Sequence, residues 1–493
     1  MTINFTGIPS NLRVPLFYAE LDPTYANTAA QDQRGLLVGQ MSAPGTYTPG
    51  ALVKLTSASD GIAAAGAGSV LAQMIKAWRD NDPSGEVWVL PIADADSAMA
   101  ATGSFTITGS ATAAGTLPLY VGGMLVSVSV STGDTAATVA TNVATAINNA
   151  AAGVTATASS GIVTLTAANK GTVGNGIDLR VAYQGTAGGQ KVPAGLSVAI
   201  AAMAGGATDP SLASPLAALG DKTFDFIVSG LNNTMALDAL KALLSDSSGR
   251  WSPMQQLYGH VFTAMAGTAG TLASAGVARN DQHLCIIGFN DSPTPFWVWA
   301  AGMIGAAAVS LRDDPARPLQ YVAVSGILPP PIASRFPIGL RNSTLLYSGI
   351  STWIVDAGHN VVIENMITTY VVNAQGNSDN SYLEVETLFT LMYVLRFMRN
   401  RIQTKFGRMK LAADGTRLPA GSRVVTPSSI KADQIAAYRE LESAGFVQNA
   451  AAFAAGLVVE KDTTNPNRVN VLWPGTLINQ LRIFAMLVQF RLS

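Results

Sequence analysis

Three histidines, a single cysteine and a few paired acids are the residues here whose types could do chemistry. His260, His283 and His359 stand far apart with no Glu or Cys at ligand spacing, so the pattern predicts no metal site. Cys285 lies in the apolar run His-Leu-Cys-Ile-Ile-Gly, which suits a small buried hydrophobe better than a nucleophile. Asp94/Asp96 and Asp313/Asp314 lack further oxygen ligands nearby and read as loop and cap residues. Gly66-Ala-Gly68-Ser69 precedes a helical pattern but has neither the lysine of a phosphate-binding loop nor a third glycine. Gly171-Thr-Val-Gly174-Asn-Gly176 falls among short strand patterns, the wrong context for a nucleotide. No Gly-x-Ser-x-Gly elbow occurs. The expectation is a protein without catalytic, cofactor or metal residues.

One charged feature stands out. Arg396, Arg399, Arg401, Lys405, Arg408 and Lys410 place six cations in one short stretch with no acid among them. Helix-dipole compensation needs one or two such charges. Phosphate binding is a second reading, yet only Phe397 and Phe406 interleave the cluster and the chain as a whole is not basic. An acidic protein partner fits at least as well.

The elements that would carry these residues fall into four textures. Residues 1–30 read as an arm, with Leu12, Val14, Leu16 and Tyr18 alternating as in a strand that has no hairpin partner nearby. From 31 to 97, and again from 209 to 375, strand and helix patterns alternate. Strands are expected at 36–41, 86–92, 224–229, 258–264, 283–289 and 319–324, with helices at 69–80, 234–244, 268–278 and 296–310, the pattern of a largely parallel sheet covered on both faces. Residues 98–208 carry only Asp134, Lys170, Asp178, Arg180 and Lys191 as charges, and run as short β-branched stretches around one Ala/Thr helix capped by Asp134. This reads as a β-rich domain inserted into the α/β unit. From 376 on, Ser381 and Glu384 read as a capping box, followed by an apolar stripe of Leu388, Leu391, Leu395, Met398, Ile402 and Phe406. A second helix at 429–443 and a hairpin around Asn465-Pro-Asn467 follow. The chain then ends on an aliphatic strand containing Ile483, Phe484, Met486, Val488 and Phe490, which needs a partner.

Charged residues make up only 12% of the 493, and the net charge is −1, so no global field attracts nucleic acid or anionic membrane. Residues 1–375 are net acidic and 376–493 net basic. Met1-Thr-Ile-Asn-Phe5 opens without a secretory pattern, and the charge-free run at 292–311 is half alanine and glycine, as in a buried helix rather than a membrane span. The texture is that of a soluble protein made in the cytosol, with a surface so poor in charge that it suits a polymer better than a monomer.

The run Asp314-Pro-Ala-Arg-Pro-Leu-Gln320, then Gly326-Ile-Leu328 and Arg341-Asn-Ser-Thr-Leu-Leu-Tyr347, resembles the contractile tail sheath proteins of Mu-like bacteriophages. Ile367-Thr-Thr-Tyr370, Ser381-Tyr-Leu-Glu-Val385, Arg399-Asn-Arg-Ile402, Lys405-Phe-Gly-Arg-Met-Lys410, Asp414-Gly-Thr-Arg417, Asn465-Pro-Asn-Arg468 and Leu477-Ile-Asn-Gln-Leu-Arg-Ile-Phe484 continue the likeness in order. It is densest beyond 310 and weakest in 98–208. The resemblance implies an α/β multi-domain protein: a linking arm (1–30), an α/β core (31–97 plus 209–375), an outer β-rich insert (98–208) and a tube-facing α+β C-terminal domain (376–493) with exchanged terminal strands. It further implies a non-enzymatic subunit of the virion tail, assembled in the host cytoplasm. That subunit polymerises helically around a tail tube and contracts without nucleotide hydrolysis, to drive the tube through the host envelope.

Its implied partners are further copies of itself, the tail tube protein, and baseplate and tail terminator proteins, with no direct nucleic acid contact and no membrane insertion. Strand exchange would use Leu12, Val14, Leu16, Tyr18, Ile483, Phe484, Met486, Val488 and Phe490. Tube contact would use Arg396, Arg399, Arg401, Lys405, Arg408 and Lys410. The other readings are a secreted or surface adhesin built on the β-rich insert, and an α/β enzyme using the 224–324 sheet.

Overall fold

The structure, a computed structural model, describes residues 33–417, 419 and 421–492. The predicted strand with Leu12, Val14, Leu16 and Tyr18 lies outside the described residues. The runs Gly-Leu-Leu-Val-Gly-Gln, Leu-Cys-Ile-Ile-Gly-Phe and Val-Trp-Val-Leu-Pro-Ile are apolar on both sides of the pleat, and a strand of that kind must be covered on both faces. They are inner strands of a nine-stranded sheet. Its order is Ala323–Val324, Val361–Asn365, Ile350–Val355, Leu284–Phe289, His260–Ala266, Phe226–Ser229, Gly35–Gln40, Val87–Ile92 and Val53–Lys54. The six inner strands from Ile350–Val355 to Val87–Ile92 are parallel, and the outer pairings at both edges are antiparallel.

Helices Val70–Arg79 and Phe296–Asp313 pack against each other and against this sheet. The second is buried nearly all round, and no helix among the described residues is long and apolar enough to cross a membrane. The expected strand 319–324 shrinks to the edge pair Ala323–Val324, because Leu319 is held by Glu386 through its backbone N–H.

Seven strands between Ala100 and Ala204 form two further sheets, one of four strands and one of three, with helix Ala136–Ala150 packed on them. The cap of that helix is Thr135, whose hydroxyl accepts from Thr138 N–H. Asp134 instead accepts from Ser131 N–H and closes the preceding turn. The apolar core runs without a break from the nine-stranded sheet into these strands. Polar contacts pin the junction: Asn169 accepts from Val70 N–H at 2.9 Å and donates to the Met41 carbonyl at 2.8 Å, while Asp94 accepts from Gln40 and from Lys170 N–H. Asp94, expected to be a loop residue, is thus part of this seam. The Gly66–Ser69 segment serves the same seam. Gly68 holds φ +82 against the Ala151 carbonyl, where a Cβ would clash, and Ser69 caps the helix.

C-terminal to residue 376, helices Val385–Phe406 and Pro427–Ser443 meet the hairpin Val458–Lys461/Val469–Leu472 around a second, smaller core. Helix Val385–Phe406 belongs to both cores. Val385, Phe389 and Met392 join the large one, while Val394 and Met398 join the small one. The expected single stripe is corrected accordingly. Burial is two-sided over the first four turns, and Ile402 lies 42% exposed on the last. The capping box is corrected as well: Ser381 is drawn into a turn by Asp379, and the helix starts at Val385 with Glu384 as its cap residue.

Replacing Asn169 by Ala would leave the Val70 N–H and the Met41 carbonyl buried without partners, at a cost of about 1–3 kcal/mol. The expected outcome is a lower denaturant midpoint for Asn169→Ala in an equilibrium unfolding curve, with an unchanged slope.

Candidate assembly surfaces

The six cations near the end of helix Val385–Phe406 divide into two groups. Arg396 turns inward and donates to Asp225 at 2.5 Å, with its guanidinium 5.8 Å from the Tyr258 ring. Asp225 is fully buried at the start of its strand. Burial pushes its carboxyl up, and Arg396 only partly opposes this. Arg401 donates to both oxygens of Asp433 (3.0 Å each) and to Glu440 at 2.5 Å, and Lys405 reaches Asp433 at 2.8 Å. These bonds tie the helix to its neighbour Pro427–Ser443. Arg396, Arg401 and Lys405, three of the six cations expected at the tube contact, are thus held in ion pairs within the body. Arg399 donates to the Gln256 carbonyl at 3.4 Å, and among the described residues neither it nor the exposed Arg408 and Lys410 makes an ion pair.

The terminal segment is the second surface. Up to Arg482 it is tied to its own subunit. Ile478 N–H donates to the Phe446 carbonyl, the Gln320 side chain donates to the Leu481 carbonyl at 3.1 Å, and one nitrogen of Arg482 donates to Glu384 (2.8 Å) and Glu386 (2.7 Å). Beyond it Ile483, Phe484, Met486, Leu487, Val488, Phe490 and Leu492 are exposed, from 64% at Val488 to 89% at Leu492. No described residue pairs with this segment as a ladder. The positions expected to form a terminal strand thus lie in one uncovered, mostly apolar run with no strand partner among the described residues.

Sequence reasoning missed Asp225, Glu384, Glu386 and Arg482. A cation at the head of a mostly apolar tail was the signal that could have found the last of these. Asp225 lies 171 residues from its partner and left no local trace.

His260, His283 and Cys285 lie inside the body, while His359 is exposed. His260 is buried against Phe262, and burial holds its ring well below the usual histidine range. His283 hydrogen-bonds Asp246 at 2.7 Å and stacks on Trp251. Burial pushes the Cys285 thiol up to about 12, and its sulfur sits 3.1 Å from the Ser351 hydroxyl. Among the described residues no group of three His, Cys, Asp or Glu could hold a metal ion.

The described body has a continuous apolar core braced by internal ion pairs, and its terminal segment carries a contiguous run of exposed large apolar side chains. Residues 205–369 match the phage tail sheath protein central domain and residues 377–491 the phage tail sheath C-terminal domain. Over 99% of its length the chain is 39% identical to the whole of the Mu-like prophage FluMu tail sheath protein of Haemophilus influenzae. The chain belongs to the phage tail sheath family, and its role is that of a structural sheath protein, which sets aside the adhesin and enzyme readings. Solved structures with a similar course include the sheath tail protein of Desulfitobacterium hafniense, with 12% identity, 95% and 97% of the two chains covered and a TM-score of 0.47. The sheath complex of an extracellular contractile injection system in its contracted state has 10% identity, 99% of each chain covered and a TM-score of 0.49.

The Asp433 cluster carries a pH signature. Burial alone would raise the Asp433 carboxyl, yet the hydrogen bonds from Arg401 and Lys405 outweigh it and hold the group below the usual carboxylate range. A depressed carboxyl contributes stability above its unfolded value, near pH 4, and loses it as pH falls through the folded value. Asp433→Asn is expected to lower stability at pH 7 by about 1–2 kcal/mol and to flatten the acid dependence below about pH 4, read by chemical denaturation at a series of pH values.

Proposed function

We propose that the chain polymerises helically around a tail tube, and that residues 483–492 of each copy are completed as a strand by another copy. The observation that carries this reading is the exposed terminal run. A contiguous set of large aliphatic and aromatic side chains is an aggregation hazard unless an assembly covers it. On an extended chain Phe484, Met486, Val488, Phe490 and Leu492 fall on one side, and Ile483, Ala485 and Leu487 share the other with Gln489 and Arg491, as suits a strand with one face wholly buried. The N-terminal residues Leu12, Val14, Leu16 and Tyr18 are proposed to act in the same way at the other end.

The tube-facing surface is proposed to be the last two turns of helix Val385–Phe406 and the residues just after it, where Arg399, Arg408 and Lys410 remain available. Exposed ion pairs contribute about 0–1 kcal/mol each, so a grip of this kind would rest on repetition around a ring of subunits and could release as a set. Contraction would then be the relaxation of a metastable assembly, with no catalysis by the sheath. Residues 98–208 are proposed to lie on the outside. Tail tube, baseplate and terminator proteins are the proposed partners, met in the host cytoplasm during assembly.

Deleting residues 483–492 tests the reading. The truncated chain is expected to keep its far-UV circular dichroism and its melting temperature within about 2 °C, since those residues bury little in their own subunit. In negative-stain micrographs it should form no tubes where the full chain does. Tubes of normal length from the truncated protein would contradict the strand-exchange reading.

A further inference from the structure

The change in the terminal segment occurs at one residue. Every described contact that ties it to its own subunit lies at or before Arg482, and every large apolar side chain after that point is exposed. Arg482 itself is mostly buried, between Glu384 and Glu386. Glu386 is fully buried in the first turn of helix Val385–Phe406, and the same carboxylate oxygen that takes Arg482 also accepts from Leu319 N–H at 2.8 Å. Two acids at a helix start suit the dipole there, but burying both so close together needs a cation. The terminal segment supplies it.

We propose that Arg482 is the positioning residue of the intersubunit link: a latch that fixes where the terminal strand leaves its own subunit and joins any pull on that strand to helix Val385–Phe406. The proposal rests on the strand-exchange reading. Both bonds come from one nitrogen, Nη2, so the two carboxylates together fix where the tip of the side chain sits. The helix it grips is the one that enters both cores. A strand anchored elsewhere on the C-terminal unit would act on the smaller core alone. Anchored at Arg482, it acts on the body as a whole, and successive copies are set at a defined spacing.

The test compares four full-length or truncated proteins in tube assembly: wild type, Arg482→Lys, Arg482→Met combined with Glu384→Gln and Glu386→Gln, and the chain ending at Arg482. The triple variant removes the latch without leaving a buried charge unpaired, so it should fold, as judged by circular dichroism. It is expected to need at least about tenfold more protein to form tubes. The tubes it forms should give blurred layer lines in their diffraction, reporting irregular subunit spacing. Arg482→Lys keeps the charge and a donor at the tip but on a shorter side chain, so an intermediate requirement and partly sharpened layer lines are expected. A folded triple variant that assembles at the wild-type concentration with sharp layer lines overturns the latch. In that case strand exchange survives if the truncated chain fails to assemble. If the truncated chain assembles normally, strand exchange falls and the latch falls with it.

Discussion

The two-sided burial of helix Val385–Phe406 is the constraint on which the rest of the molecule depends. A surface helix needs one apolar stripe. This one meets the nine-stranded sheet with Val385, Phe389 and Met392 and the C-terminal core with Val394 and Met398, and Phe389 stacks on Phe226 at 4.9 Å. Each large side chain fully buried there contributes about 1.5–3 kcal/mol, enough together to offset the desolvation of the Arg396–Asp225 pair beside it. Such a pair adds little net stability. Its geometry still fixes the rotation and height of the helix on the sheet, since a shift of either would leave Asp225 buried without its cation.

Because the helix is held in that way, its two ends can do different things. The first turn holds the terminal segment through Glu384, Glu386 and Arg482, and the last turn reaches solvent with Arg399 nearby and Arg408 and Lys410 just beyond. Arg401 and, in the last turn, Lys405 clamp helix Pro427–Ser443. One element therefore joins the sheet, the C-terminal unit, the start of the terminal strand and the free cations. A structural protein of the sheath family gains from this arrangement, because a displacement at any one of these places is felt at the others.

Much of the sheet was legible in the sequence. Phe226–Ser229, Leu284–Phe289 and Val87–Ile92 are short apolar runs bounded by turn residues, and a buried parallel strand has no other texture. Helix Thr234–Leu244 was readable to the residue because Asn233 caps it. The failures share a cause. Ser381 and Glu384 have the spacing of a capping box, but Asp379 and Arg482 compete for them and win. Six cations without a neighbouring acid looked free, because Asp225, Asp433 and Glu440 approach only after folding. A stripe was expected on the long helix, since periodicity reports one buried face and cannot report two. The terminal run was legible as a strand in need of a partner because its composition alone makes exposure costly.

The central claim is that the exposed terminal run is covered by another copy of the chain. The only cysteine in the sequence, Cys285, is buried, so a cysteine placed at Phe484 would be the one accessible thiol in the described body. A photoactivatable cross-linker attached there can be fired before and after assembly. The account predicts monomers alone from the unassembled protein, and from tubes a ladder of covalent dimers and higher multimers. Isotope-mixed tubes should place each link between two different chains. Links within a single chain, in tubes as in solution, would contradict it.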